Sequence, residues 1–169
     1  MKKIHLYLIA LIGLSLSSCI KNDNNTYQGP TELEWDADTY NANAAGVTYP
    51  IFTKVPGYGR AQVTSDPAIT RTSGAIKFRV NLVGPQQASD ITVSYIVVSA
   101  ATTAVAGTHY TTTGTFTIPA HTSFGEVTVN ILNPGATSGT KDLVLELVPQ
   151  AGIIVNANDL DIGIRIAEN

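Results

Sequence analysis

Apolar side chains return at every second position through much of the chain. In AIKFRVNLV, Ile76, Phe78, Val80 and Leu82 share one side, while Lys77, Arg79 and Asn81 take the other. The same alternation carries Ile91, Val93, Tyr95 and Val97, then Phe116 and Ile118, then Val127, Val129 and Ile131. It recurs in Leu143, Leu145 and Leu147, and again in Ile162, Ile164 and Ile166. Successive side chains of an extended chain point to opposite faces, so a period of two marks strands buried on one face and wet on the other. Antiparallel sheets are built this way. Shorter stretches predict a first strand over 33–35, a second over 49–53 and a third over 60–64. Pro50 belongs at an edge or a strand start, because it cannot donate to a ladder. A further strand is predicted over 111–118.

Gly84-Pro85, Asn133-Pro134-Gly135, Ser138-Gly139 and Ala151-Gly152 fall between the apolar runs, where turns are needed. No window combines helical periodicity with caps. The prediction is an all-β chain folded as a two-sheet sandwich, with no internal repeat.

The first residues follow a different plan. Met1-Lys2-Lys3 is basic, and the apolar run that follows to Leu14 is too short to span a bilayer. Small residues come next, Ser15, Ser17 and Ser18, and then Cys19, the only cysteine. Leu16-Ser17-Ser18-Cys19 resembles a bacterial lipobox. That resemblance implies a diacylglycerol thioether on Cys19, cleavage before it, and acylation of the freed amine, palmitate being the typical chain. Nothing around Cys19 looks like a core, and a disulfide within one chain has no second thiol. One acyl chain binds a membrane only marginally, whereas two or three anchor firmly.

The expected organisation is therefore a signal peptide over 1–18, a lipidated tether over 19–30 and one sandwich domain over 31–169. The tether segment Ile20 to Thr26 is polar and without period, as a spacer should be. Its Asp23 resembles the acidic signals that send some lipoproteins to the outer cell surface. The expected location is the cell envelope, at the outer membrane, with either leaflet open. Loss of Lys2 and Lys3 with the leader takes the net charge from −3 to about −5. A mildly acidic domain of this kind argues against nucleic acid as a partner.

From Ile76 to about Gln150 the order of features resembles a known family. The segment Thr103-Ala104-Val105-Ala106-Gly107-Thr108-His109-Tyr110 is followed by Ile118-Pro119-Ala120, an alternating strand and LVLELV. This is similar to a Calx-beta-like domain of unknown function found in surface lipoproteins of Gram-negative bacteria, often encoded beside glycan-uptake machinery. The resemblance implies an immunoglobulin-like antiparallel sandwich of about seven or more strands, with the Tyr110 ring in its core. Calcium-binding members carry acids where this chain has His109 and the segment Ser138 to Asp142. Calcium takes six to eight oxygens, usually several of them carboxylate. Calcium is therefore not carried over, and no cofactor or metal is expected.

Other chemistry is sparse. His109 and His121 flank the predicted 111–118 strand, and no Cys or Glu cluster completes a zinc set beside them. They read as turn-end histidines making ordinary hydrogen bonds. Asn156, Asn158, Asp159 and Asp161 crowd the approach to the last strand, but Asn-rich turns arise for backbone reasons alone. No Gly-x-Ser-x-Gly elbow or paired loop carboxylates support a hydrolase. The expectation is no enzyme.

KVPGYGRAQV is more suggestive. It sets Tyr58 between two glycines with Arg60 beside it, a flat ring and a guanidinium suited to a sugar face and its hydroxyls. The competing reading folds Tyr58 back over the sandwich edge. Trp35, in a predicted first strand, reads as core. Two functions follow from these features. One is a lipid-anchored accessory or binding protein that captures glycan or protein, alone or with a neighbouring outer-membrane uptake protein. The other is a structural or adhesive protein whose sandwich is a spacer or packs with a partner. A contiguous exposed patch of Ile96, Val98, Val144 and Val148 would favour the second.

Overall fold

The computed structural model describes residues 27–135 and 137–169. Cys19, the leader and the tether as far as Thr26 lie outside the described residues. The elements follow in the order β1 (Glu32–Trp35), α1 (Asp36–Tyr40), β2 (Ile51–Phe52), β3 (Ala75–Val83), β4 (Ile91–Val97) and β5 (Tyr110–Thr112). They continue with β6 (Thr115–Ile118), β7 (Phe124–Ile131), β8 (Thr140–Leu147), β9 (Ile154–Val155) and β10 (Asp161–Ala167). Two five-stranded sheets result, in the orders β5-β7-β3-β1-β9 and β2-β10-β8-β4-β6. The all-β sandwich expected from the alternation is the fold observed. Its long ladders are antiparallel, but the short outer strands β9 and β2 pair parallel with β1 and β10.

The alternation sorts the side chains as expected. Phe78, Val80, Val93, Val127, Val129, Leu143, Leu145, Leu147, Ile162, Ile164 and Ile166 lose all contact with solvent between the sheets. Truncating one of the larger of these to alanine costs about 2–5 kcal/mol through lost transfer energy and the cavity left behind. Trp35 joins this core, and its indole Nε1–H donates to the Leu160 carbonyl at 3.0 Å, so no buried donor is left unpaired. Tyr110 is also buried, as the family resemblance implied. Pro50 precedes the edge strand β2, and its carbonyl accepts from the Gly163 N–H.

Three sequence expectations are corrected. Residues 60–64 form no strand, because side chains take the donors that a ladder would use. The Gln62 N–H donates to Asn41 Oδ1 and the Val63 N–H to Asp66 Oδ2. The 111–118 stretch is two strands in different sheets, β5 and β6. The chain crosses between them at Gly114, whose φ of 76° lies in the left-handed region that glycine enters without penalty. Finally, the turn α1 escaped the pattern, since five residues are too few to show a period.

The apolar patch proposed for a packing surface is not continuous. Ile96 is half exposed, but Val144 retains only 2% of its surface. Among the described residues no helix is long and apolar enough to cross a membrane.

Candidate functional site

The outward positions of β3 and β7 face each other across the first sheet. Their register sets Lys77 opposite Thr128, Arg79 opposite Glu126, and Asn81 opposite Phe124. Outward residues of a pleated pair stand side by side and interact as pairs. The loop between β2 and β3 then folds over this face and brings Tyr58 to it. That loop is closed at its base by the Lys54–Ala68 bridge and by hydrogen bonds from Val55 N to Pro67 O and from Ile69 N to Thr53 O.

Tyr58 lands on Glu126. Its hydroxyl donates to Glu126 Oε1 at 2.5 Å, while Lys77 Nζ donates to Oε2 at 2.7 Å. Burial, and then the bond to the Glu126 carboxylate, push the Tyr58 phenol well above its ordinary range. Lys77 foremost, and then Tyr58, hold the Glu126 carboxyl below the usual carboxylate range. Both oxygens of Glu126 are thus committed, and the group stays ionised at neutral pH.

Arg79 lies between two rings. Its guanidinium carbon is 4.0 Å from the Phe124 ring centroid and 5.6 Å from the Tyr58 ring centroid. Arginine favours such aromatic faces because its planar cation is weakly hydrated and meets the negative face of the ring. Nε donates to Asn81 Oδ1 at 2.9 Å and lies 4.0 Å from Asp36 Oδ1. Among the described residues nothing accepts from the two terminal Nη groups. Tyr58 and Phe124 each keep 40% of their surface exposed. The result is an open platform of two rings with unspent guanidinium donors between them.

The helical turn α1 supports the platform from below. Asp36, buried at its start, accepts from the Gly59 N–H at 2.7 Å through Oδ2 and from Asn81 Nδ2 at 3.0 Å through Oδ1. One carboxylate therefore ties the Tyr58 loop to the strand that carries Arg79. Asn81 Nδ2 also approaches Glu34 Oε1 at 3.3 Å, and burial raises the Glu34 carboxyl despite that bond.

Arg60 does not join Tyr58. It turns into its own loop, where Nη1 and Nη2 bind the Asp66 carboxylate at 2.9 and 2.6 Å. Arg60 holds the Asp66 carboxyl down to about 2. Lys54 Nζ closes the same loop on the carbonyls of Thr64 and Asp66. The expected Tyr58–Arg60 pair is thus corrected: Tyr58 is exposed at the sheet face, but its guanidinium partner is Arg79. Arg79, Phe124 and Glu126 were missed as site residues. One signal was present, since Phe124 is an aromatic residue at an outward position of an alternating strand.

The two histidines each make a hydrogen bond within a turn. His109 Nδ1 accepts from the Val105 N–H at 2.9 Å, closing the turn before β5. The His121 N–H donates to the Gln87 carbonyl at 2.8 Å in the turn after β6. Among the described residues no three His, Cys, Asp or Glu side chains are grouped to hold a metal ion.

No protein-family model and no curated protein matches the chain. Solved structures that are similar include CBD12 from CALX1.2, with a TM-score of 0.49 and 16% identity over 59% of this chain. Only 39% of that structure is covered, so the chain spans about two fifths of its length. The apo-form Calx CBD1 domain has a TM-score of 0.47 and 16% identity, covering 58% of this chain and 87% of that one. The Calx CBD2 domain has a TM-score of 0.47 and 14% identity, covering 60% and 80%.

Proposed function

We propose that this chain is a lipid-anchored protein of the bacterial outer membrane whose sandwich binds neutral glycan, without catalysis, on the outer face of its first sheet. The observation that carries the binding reading is Arg79, held between the exposed rings of Tyr58 and Phe124 with both Nη groups unspent among the described residues. A sugar ring offers an apolar face for stacking and a rim of hydroxyls for fixed donors, and the platform offers both complements. The surrounding charges are mixed. Lys77 and Arg79 stand against Glu34, Asp36 and Glu126, so no strong positive field favours a polyanion. Glu126, ionised and engaged at both oxygens, is a poor proton donor, which favours binding over hydrolysis. The anchor rests on the lipobox-like Leu16 to Cys19. Partnership with an uptake protein in the same membrane requires that anchor.

The test is a glycan array, followed by calorimetry on any neutral sugar that binds. Tyr58→Ala should weaken binding by about 1–3 kcal/mol, as loss of a central aromatic does, with the fold intact. A variant that lowers the melting temperature and leaves affinity unchanged would make Tyr58 a packing residue and sink the reading.

A further inference from the structure

Phe124 has a second neighbourhood. Beside it, on the side toward β6, lies a groove of about 360 Å³ lined by Thr117, Pro119, Thr122, Phe124, Gly125 and Glu126. Beside this groove β6 comes close to β7 at Gly125. A Cβ there would fall 2.6 Å from the Thr117 carbonyl oxygen, so any other residue would force the strands apart.

Leu82 N–H donates to Ser123 O, so the odd-numbered residues of β7 spend their backbone groups on β3. Phe124 and Glu126 therefore turn theirs outward. On that side β5 pairs with β7 only from Val129 to Ile131. The Phe124 carbonyl receives the Thr122 hydroxyl at 3.2 Å, and Glu126 lies beyond the stretch of β7 that β5 pairs among the described residues.

We infer that this groove is a second sugar subsite, holding the ring adjacent to one stacked at Tyr58 and Arg79. The inference rests on the glycan reading above and deepens it. Two residues are common to both places. Phe124 meets Arg79 on one side and walls the groove with its remaining exposed surface. Glu126 receives Tyr58 and Lys77 on its carboxylate and also lines the groove. A ring seated there has the aromatic wall of Phe124 for its C–H face and the hydroxyl-bearing Thr117, exposed on β6, for its rim. An extended peptide is a poorer fit, because β6 lies against β7 at Gly125 and leaves little edge for a strand to follow.

The site therefore takes a neutral oligosaccharide of at least two units. The experiment titrates the full chain in detergent with gluco-, xylo- and manno-oligosaccharides of one to four units. Affinity should rise about tenfold between one unit and two, equivalent to about 1.4 kcal/mol. In Thr117→Arg, which fills the groove from the exposed face of β6, the ratio of two-unit to one-unit affinity should fall toward one. Thr117→Val, which removes only the hydroxyl, guards against misfolding of the bulkier variant and should lower the ratio partway. Single units that bind without any gain on lengthening overturn this inference and leave the glycan reading standing. A gain that survives Thr117→Arg in a folded protein also overturns it. No binding of any sugar overturns both, and capture of an extended peptide that Thr117→Arg blocks replaces the sugar with a strand.

Discussion

Arg79 and Phe124 are stacked across the β3–β7 pair, with the guanidinium carbon 4.0 Å from the ring centroid. They are diagonal neighbours, since Asn81 stands opposite Phe124 and Arg79 opposite Glu126. Asn81 fixes the geometry by accepting from Arg79 Nε. A cation–π contact at a partly exposed site contributes about 0.5–1 kcal/mol. A double-mutant cycle on Arg79→Ala and Phe124→Ala, read by urea unfolding, should return a coupling of that size. Arg79→Lys should recover little of it, because an ammonium lacks the plane that lies on the ring. Strict additivity of the two substitutions would mean that the stack is only proximity.

The anchor is tested independently of the sandwich. If Cys19 carries lipid, labelled palmitate should enter the wild-type protein and be absent from Cys19→Ser, which should also leave the membrane fraction. Each buried methylene contributes about 0.8 kcal/mol, so loss of all the chains releases the protein rather than weakening its attachment slightly. Label retained by Cys19→Ser would end the lipobox reading, whatever the sandwich binds.

The strand faces could be read in the sequence because a period of two is local and repeated. Lys77, Arg79 and Asn81 were already on the outward side of a predicted strand. What the sequence could not supply was register. Nothing local says that Arg79 faces Glu126, or that Tyr58 reaches that pair rather than Arg60 at its side. Arg60 looked like the partner because it is near in sequence, but an acid of its own loop, Asp66, holds it. The turn α1 was hidden for a related reason. Its buried Asp36 is held by Gly59 and Asn81, contacts from distant segments that override a weak local preference. The split of 111–118 had one sign, Gly114, whose position inside an otherwise strand-like stretch marks the crossing.

The last prediction concerns Asp38, in the same helical turn. It keeps 5% of its surface, and its Oδ2 is buried with no hydrogen-bond partner among the described residues. Burial foremost, and then repulsion from the charges of Asp159 and Asp161, raise the Asp38 carboxyl from 3.8 to about 7. Burial raises Asp159 and Asp161 as well, with Glu146 adding to the shift at Asp161. Between about pH 4 and pH 7, then, the folded protein keeps a proton that the unfolded chain has released. Stability is highest below that window and is lost as pH rises through it, levelling above about 7. In a domain of this size each kcal/mol moves the melting temperature by about 2–4 °C, so the fall should amount to several degrees. Asp38→Asn, which cannot ionise, should remove most of the slope by raising the melting temperature at pH 8 while changing it little at pH 4.5. Calorimetry of both proteins from pH 4.5 to 8 decides the matter. A wild-type melting temperature that stays level over this range, or an equal slope in the variant, would show that Asp38 is charged and accommodated in the folded state.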